Sequence, residues 1–389
     1  MLFPYTYVPH LMDKMQAFIN FIFHEVWCKA PVGLEFHPDL FKAEPDLHDV
    51  MVAFGFSKHA PERGKVFYKD VKAIYLLFGS LQPQEIEQFK QWYVGNNDLE
   101  MVCANDPAAQ LARYADVAVN HEELSEWLAL FFKDLYSQSL LDLTALRQKI
   151  GDIDSHYKAF ASTNALDKCP FCGLSDMLGA NHTKREAYDH YLPKAIYPFN
   201  SINFKNLVPA CHHCNSSYKG SQDPSYAPKD PTGGTVRRKV FYPFSTTPHG
   251  IELQVTLQHA DVEKMTAADI SLSFGPASIT EQIETWKDVY DIEERYRGKL
   301  LSGDCKAWVV AVLDEWRWRD ESADADGRTP EAHLRDVARH TDRSPYANAN
   351  FLKNSYLQAC KSVGLFEPIA KGGAAPAGTS PIAQVGKIR

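Results

Sequence analysis

Two cysteine pairs constrain this chain more than any other feature. Cys169 and Cys172 form one Cys-x-x-Cys knuckle, and Cys211 and Cys214 form a second. Four thiolates in paired knuckles make the tetrahedral sulfur set of a structural Zn²⁺. The stretch between the knuckles is longer than in an ordinary zinc ribbon, so something is built into it. It holds an Asp-His pair, Asp189 and His190, and an isolated Asn206, while Asn215 directly follows the last cysteine.

These residue types fit phosphodiester hydrolysis, which needs an activated water, a cation on the scissile phosphate and help for the departing alkoxide. A neutral imidazole near its ordinary pKa can take a proton from water at neutral pH, and His190 is the candidate base. A hard divalent cation such as Mg²⁺ or Mn²⁺ prefers oxygen ligands and keeps some of its waters. Asp189 and Asn215 offer a carboxylate and an amide oxygen. Neighbouring side chains of an extended segment point to opposite faces, so local bending has to bring Asp189 and His190 to one phosphate. Each feature also has a plain reading: a surface Asp-His pair, a helix N-cap at Asn215, a turn residue at Asn206. Their coincidence between and beside two knuckles favours the catalytic one.

The residues from Cys169 to Gly220 resemble the HNH nuclease core, the ββα-metal fold, in its zinc-knuckle form. Asp189-His190 stand where that family ends its first strand, Pro193 follows in the usual place, Asn206 opens the second strand, and Asn215 starts the helix. The interval of nine from Asn206 to Asn215 is similar to that of the HNH domain of CRISPR effector nucleases. The resemblance implies that Asn206 ties the loop backbone together and orients His190 without touching the metal. The third letter, Asn215 in place of His, implies metal binding by Asp plus Asn and not the His-rich site of colicin-type DNases. Three residues separate Asn215 from Lys219, where many relatives have two. Chains of this shape also resemble anti-phage effectors, such as the nuclease subunit that works with an ATPase in Septu-type defence, or a stand-alone restriction-type nuclease. The expected partners are therefore DNA and either an ATPase subunit or a second copy of the chain. The non-enzyme rival is a zinc-dependent nucleic-acid-binding protein.

A net charge of −8 argues at first against such a substrate, but the way the charge is distributed argues for it. Residues 168–240 carry ten Lys and Arg against five Asp and Glu; residues 1–167 carry 14 against 23, and residues 241–389 carry 17 against 21. The one basic segment holds the candidate site, and local positive charge binds phosphates while acidic flanks discourage indiscriminate binding. Lys194, Lys219, Arg237 and Arg238 are the candidate nucleic-acid contacts. Cys28, Cys103, Cys305 and Cys360 are scattered singly, which suits a reducing cytoplasm. No signal-peptide pattern is visible. The apolar run from Phe18 to Trp27 is short and interrupted by Asn20, His24 and Glu25, so it reads as a buried helix and not a membrane span.

The fold class expected is α+β and mostly helical, a small zinc-stabilised ββα-metal core flanked by helical N- and C-terminal domains. Residues 1–165 form a helical domain that gates the core or docks a partner or substrate; 166–245 form the nuclease core; 246–367 form a mixed, mostly helical domain. From 368 to 389 the chain is rich in Ala, Gly, Ser and Pro and reads as a disordered tail. Helices are expected from about Leu11 to Cys28, near Val71–Phe78 and Glu85–Val94, and from Asn120 to Ile150, where Asn120 and Glu123 form a capping-box pattern. Val240-Phe241-Tyr242 reads as a closing strand, and residues 251–274 alternate like strands. The cluster Trp316-Arg317-Trp318-Arg319 either stacks on bases or, at helical spacing, belongs to a core.

Overall fold

The apolar run from Phe18 to Trp27 is the axis of the first core. It starts as the α-helix Asp13–Phe21, widens into a π-helical turn at Ile22–Val26, and tightens into a 3₁₀ helix at Trp27–Val32 that stops at Gly33, φ 82°. Phe18, Ile19, Ile22, Phe23, Val26 and Trp27 are all buried, and the Trp27 indole donates 3.0 Å to the Val71 carbonyl. The structure, a computed structural model, describes residues 1–227, 236–321 and 329–367, with 319–321 as backbone alone. The fold is α+β and mostly helical, as expected. No described helix is long and apolar enough to cross a membrane.

Around the axis pack the helices Glu62–Phe78, Pro83–Asn97 and Glu122–Leu135. The expected helix from Asn120 to Ile150 is three helices, Glu122–Leu135, Gln138–Leu141 and Thr144–Ile150. His121 and not Asn120 holds the N-cap position, without a side-chain capping bond. The first break is at Tyr136, whose ψ of 45° turns the chain out of the helix. The last helix stops where expected, at Gly151 with φ 76°, a backbone shape glycine adopts without steric cost.

Among the described residues three strand pairs form, all antiparallel. β1 (Tyr188–His190) pairs with β2 (Leu207–Pro209), aligning Asp189 with Val208 and His190 with Leu207. β3 (Tyr226–Ala227) pairs with β4 (Val236–Arg237), and β5 (Glu252–Leu257) with β6 (Ile270–Gly275). The strand expected at Val240–Tyr242 does not form. Val240 and Phe241 are buried instead, with the Val240 amide donating to the Cys103 carbonyl.

The chain divides into two compact units, Met1–Gly250 with Ala277–Asp291, and Ile251–Pro276 with Ile292–Arg389. The division expected between residues 165 and 166 therefore falls inside the first unit. The reason is a shared core: Tyr188, Phe199, Ile202, Phe204 and Leu207 are buried in one cluster with Phe23, Phe78, Phe132 and Tyr157 of the helical segment. The helix Thr280–Tyr290 also belongs here, because Trp286 donates 2.6 Å to the Phe171 carbonyl and Tyr290 stacks on Phe171.

The second unit lays helix Asn350–Ser362 against β5, where Ser355 Oγ donates 2.6 Å to the Leu253 carbonyl. The helices Ile292–Leu300, Gly303–Glu321 and Pro330–Asp342 complete it. Thr329 caps the last of these through the Ala332 amide. Within the tryptophan cluster, Trp316 is buried and Trp318 is 71% exposed, while the Arg319 side chain lies outside the described residues. The expected tail, 368–389, lies outside them too.

Candidate functional site

The four knuckle cysteines come together. Their Sγ atoms all lie within 4.8 Å of one another and all four residues are buried. Local backbone shapes each knuckle. The Gly173 amide donates 2.7 Å to the Cys169 carbonyl, and Gly173 takes φ 68°, bringing the Leu174 amide to 3.4 Å from Cys172 Sγ. In the second knuckle the Cys214 amide lies 3.4 Å from Cys211 Sγ. A set of four buried thiols in this arrangement can hold a metal ion such as zinc.

β2 runs into the second knuckle, and the loop between β1 and β2, 191–206, carries Lys194 and Asn206. Asn206 closes the loop at its base. Its Oδ1 accepts from the Leu192 amide at 2.7 Å, and its Nδ2 donates to the Leu192 and Asn200 carbonyls at 3.0 and 3.3 Å. His190 Nε2 lies 2.9 Å from the Ser201 carbonyl of the same loop. A carbonyl only accepts, so Nε2 carries the hydrogen and Nδ1 keeps the lone pair. Burial, with the Lys194 and Lys219 charges, pushes the His190 pKa down to about 3 against the opposing pull of the Ser201 carbonyl. The ring is neutral at pH 7.

Asp189 is buried, and so is Lys219. Lys219 Nζ donates 2.9 Å to Asp189 Oδ1 and 2.8 Å to the His190 carbonyl, pinning the end of β1 to the turn after the second knuckle. That turn, His213–Lys219, is π-helical, and the Gly220 amide closes onto the Asn215 carbonyl five residues back. The three residues between Asn215 and Lys219 are thus held inside a turn wider than an α-helical one. Burial pushes the Asp189 carboxyl up in pKa, against the pull of Lys219. Its second oxygen, Oδ2, is buried with no hydrogen-bond partner. Asn215 is half-buried on the same turn as Lys219.

The helical segment holds the loop from behind. Asn96 Nδ2 donates to the Pro198 carbonyl at 2.9 Å, Asn200 Nδ2 donates to the Asn96 carbonyl at 3.0 Å, and Asn203 Nδ2 donates to Asn97 Oδ1 at 3.0 Å. Phe199 is fully buried with its ring 5.3–5.5 Å from those of Phe23, Tyr93 and Phe132, and its φ is 79°.

The four basic residues expected to meet nucleic acid part company. Lys194 is half-buried beside His190, with Nζ donating 2.8 Å to the Lys133 carbonyl. Lys219 turns inward to Asp189 and offers no charge at the surface. Arg237 donates to the Val102, Asp106 and Ala109 carbonyls, and Arg238 to the Pro224 carbonyl and Asp288. Both guanidiniums are thereby spent on the fold. One neighbour of His190 carried no sequence signal at all: Tyr136, whose ring stands edge-on to the imidazole at 4.9 Å.

A mostly helical α+β chain with a four-cysteine centre and an Asp-His strand beside it is the class that fold and site define. No family model and no solved structure matches it. It is similar to protein ea31 of Escherichia phage lambda, with 46% identity over 54 residues, 14% of this chain. The chain spans 16% of the length of that relative.

Proposed function

We propose that this chain is a metal-dependent HNH endonuclease that hydrolyses phosphodiester bonds in DNA, with its four cysteines holding a structural Zn²⁺. One arrangement carries the reading. His190 ends β1 with Nδ1 as its lone-pair nitrogen, next to an Asp189 that has one unclaimed oxygen, on a loop locked by Asn206 and pinned to the turn after the second knuckle. A divalent cation such as Mg²⁺ or Mn²⁺, when bound, would polarise the phosphate and stabilise charge on the leaving oxygen. Asp189 Oδ2 and the Asn215 amide are the donors that would hold it. A buried carboxylate oxygen left without a partner is costly, and a cation is a natural compensation. Nδ1 of His190 would take the proton of the attacking water. The negative phosphodiester entering beside the imidazole favours its charged form and brings its pKa back toward neutrality.

The test is cleavage of single- and double-stranded DNA and RNA with Mg²⁺ or Mn²⁺. His190→Ala lowers the rate by about 10²–10⁴, the range for losing a general base, and excess metal does not restore it. Asp189→Asn, which leaves Lys219 an acceptor, and Asn215→Ala are partly restored by raised Mn²⁺. Rescue of His190→Ala but not of Asp189→Asn would reverse the two roles. A chain that binds nucleic acid and cuts none of the panel is a zinc-dependent binding protein instead.

A further inference from the structure

Tyr136 and Lys194 come to His190 from two different segments, the helical one and the loop after β1. Tyr136 is the residue that turns the chain out of helix Glu122–Leu135, and its ring stands at 87° to the imidazole of His190. The Lys194 ammonium lies 5.9 Å from the centroid of the same ring, within the range of a cation–π contact. Its hydrogen bond to the Lys133 carbonyl comes from the last turn of that same helix. One helix end therefore supports both the candidate base and the cation beside it. An ammonium has three donors, and Lys194 directs one of them to Lys133, leaving the others for an incoming group. The Tyr136 hydroxyl is buried away from solvent, and the Arg185 guanidinium acts on it. The contact with His190 belongs to the ring.

We infer that Tyr136 is a positioning residue of the phosphodiester site, an inference that rests on the nuclease reading above. Its ring fixes the plane of the His190 imidazole and, with the Lys133 carbonyl, seats Lys194 as the cation that receives a backbone phosphate of the substrate. The site is thus a composite, with the helical segment forming one wall. Orientation of this kind is worth rate, since a displacement of about 1 Å at a reacting group can cost about 10²-fold.

The experiment uses the full-length, zinc-replete chain labelled with ¹³C-histidine. The His190 ring C–H resonances, assigned by their loss in His190→Ala, are displaced from free-histidine positions by the Tyr136 ring current. Tyr136→Phe keeps that displacement and the wild-type cleavage rate. Tyr136→Leu loses the displacement and lowers kcat by about 10–100-fold, with zinc content and thermal midpoint close to wild type. Lys194→Gln, a change at a half-exposed position, raises KM, leaves kcat near wild type, and reduces the salt dependence of binding by about one phosphate contact. His190 resonances at free-histidine positions in the wild type overturn the inference without any variant having to fold. So does Tyr136→Leu cutting at the wild-type rate. A wild-type chain that cuts no substrate overturns the nuclease reading and this role with it, and that failure is told apart because it is seen before any substitution is made.

Discussion

Phe199 offers the sharpest test of how the loop around His190 is held. Its side chain is fully buried among Phe23, Tyr93 and Phe132, and its backbone sits at φ 79°, a region where a bulky residue is an outlier. Phe199→Ala removes the ring, at a cost of about 3–5 kcal/mol for a buried phenylalanine, and keeps the left-handed strain of about 1–2 kcal/mol. Phe199→Gly loses the same ring but sheds that strain. At an ordinary position glycine is less stable than alanine by about 0.5–1 kcal/mol. Here the two effects oppose each other and the strain is the larger, so Phe199→Gly is expected to match or exceed Phe199→Ala in stability by up to about 1.5 kcal/mol. Urea unfolding of the zinc-replete chain, followed by tryptophan fluorescence, reads the difference from the two midpoints at equal slope. A glycine variant less stable than the alanine variant by the ordinary margin would refute the left-handed backbone and the anchoring argument with it. On the proposed nuclease reading both variants are also expected to lose cleavage activity ahead of stability, because Ser201, two residues on, carries the carbonyl bonded to His190.

Two other predictions concern the metal and pH. Purified protein contains zinc that survives mild EDTA, and Cys211→Ser lowers the unfolding midpoint as well as the zinc content, because binding energy at such a centre is folding energy; elemental analysis without zinc would sink this. His156 is buried against Tyr188 and Phe204, and burial, then His10, pushes its pKa down to about 3. The folded pKa lies below the unfolded one of about 6.5, so the stability His156 contributes is present above that pH and is lost as pH falls toward 3, by about 2 kcal/mol at pH 5. His156→Leu should flatten that part of the profile, and equal loss between pH 7 and 5 in both proteins would refute it.

The parts legible in the sequence were those with a local signal. The knuckle pairs predicted a four-thiol cluster, and the helix end expected at Ile150 falls where the structure has it, before Gly151. Asp189-His190 and the residues after Asn206 read as strands and are strands. What escaped depended on tertiary contacts. Asn120 offers a capping pattern, but the helix begins at Glu122, with His121 facing Glu85 of another helix. Arg237 and Arg238 have the composition of a phosphate clamp; only the fold shows carbonyls and Asp288 claiming them. Tyr136 follows the apolar face of its helix and breaks its period, so no pattern pointed to it. The expected boundary at 165 rested on composition, which does not reveal that Phe199 and Phe204 are core residues of the helices before them.

The π-helical turn at His213–Lys219 has a consequence for how such chains are compared. An added residue in an α-helix rotates everything beyond it by about 100°, which would carry Lys219 off Asp189. Here the wider turn closes one hydrogen-bonded ring, Gly220 to Asn215, and Lys219 reaches both Asp189 and the His190 carbonyl. The width of the turn is therefore what sets Lys219 against Asp189. Two chains can differ by a residue inside this helix and still present the same pair of side chains to the same strand.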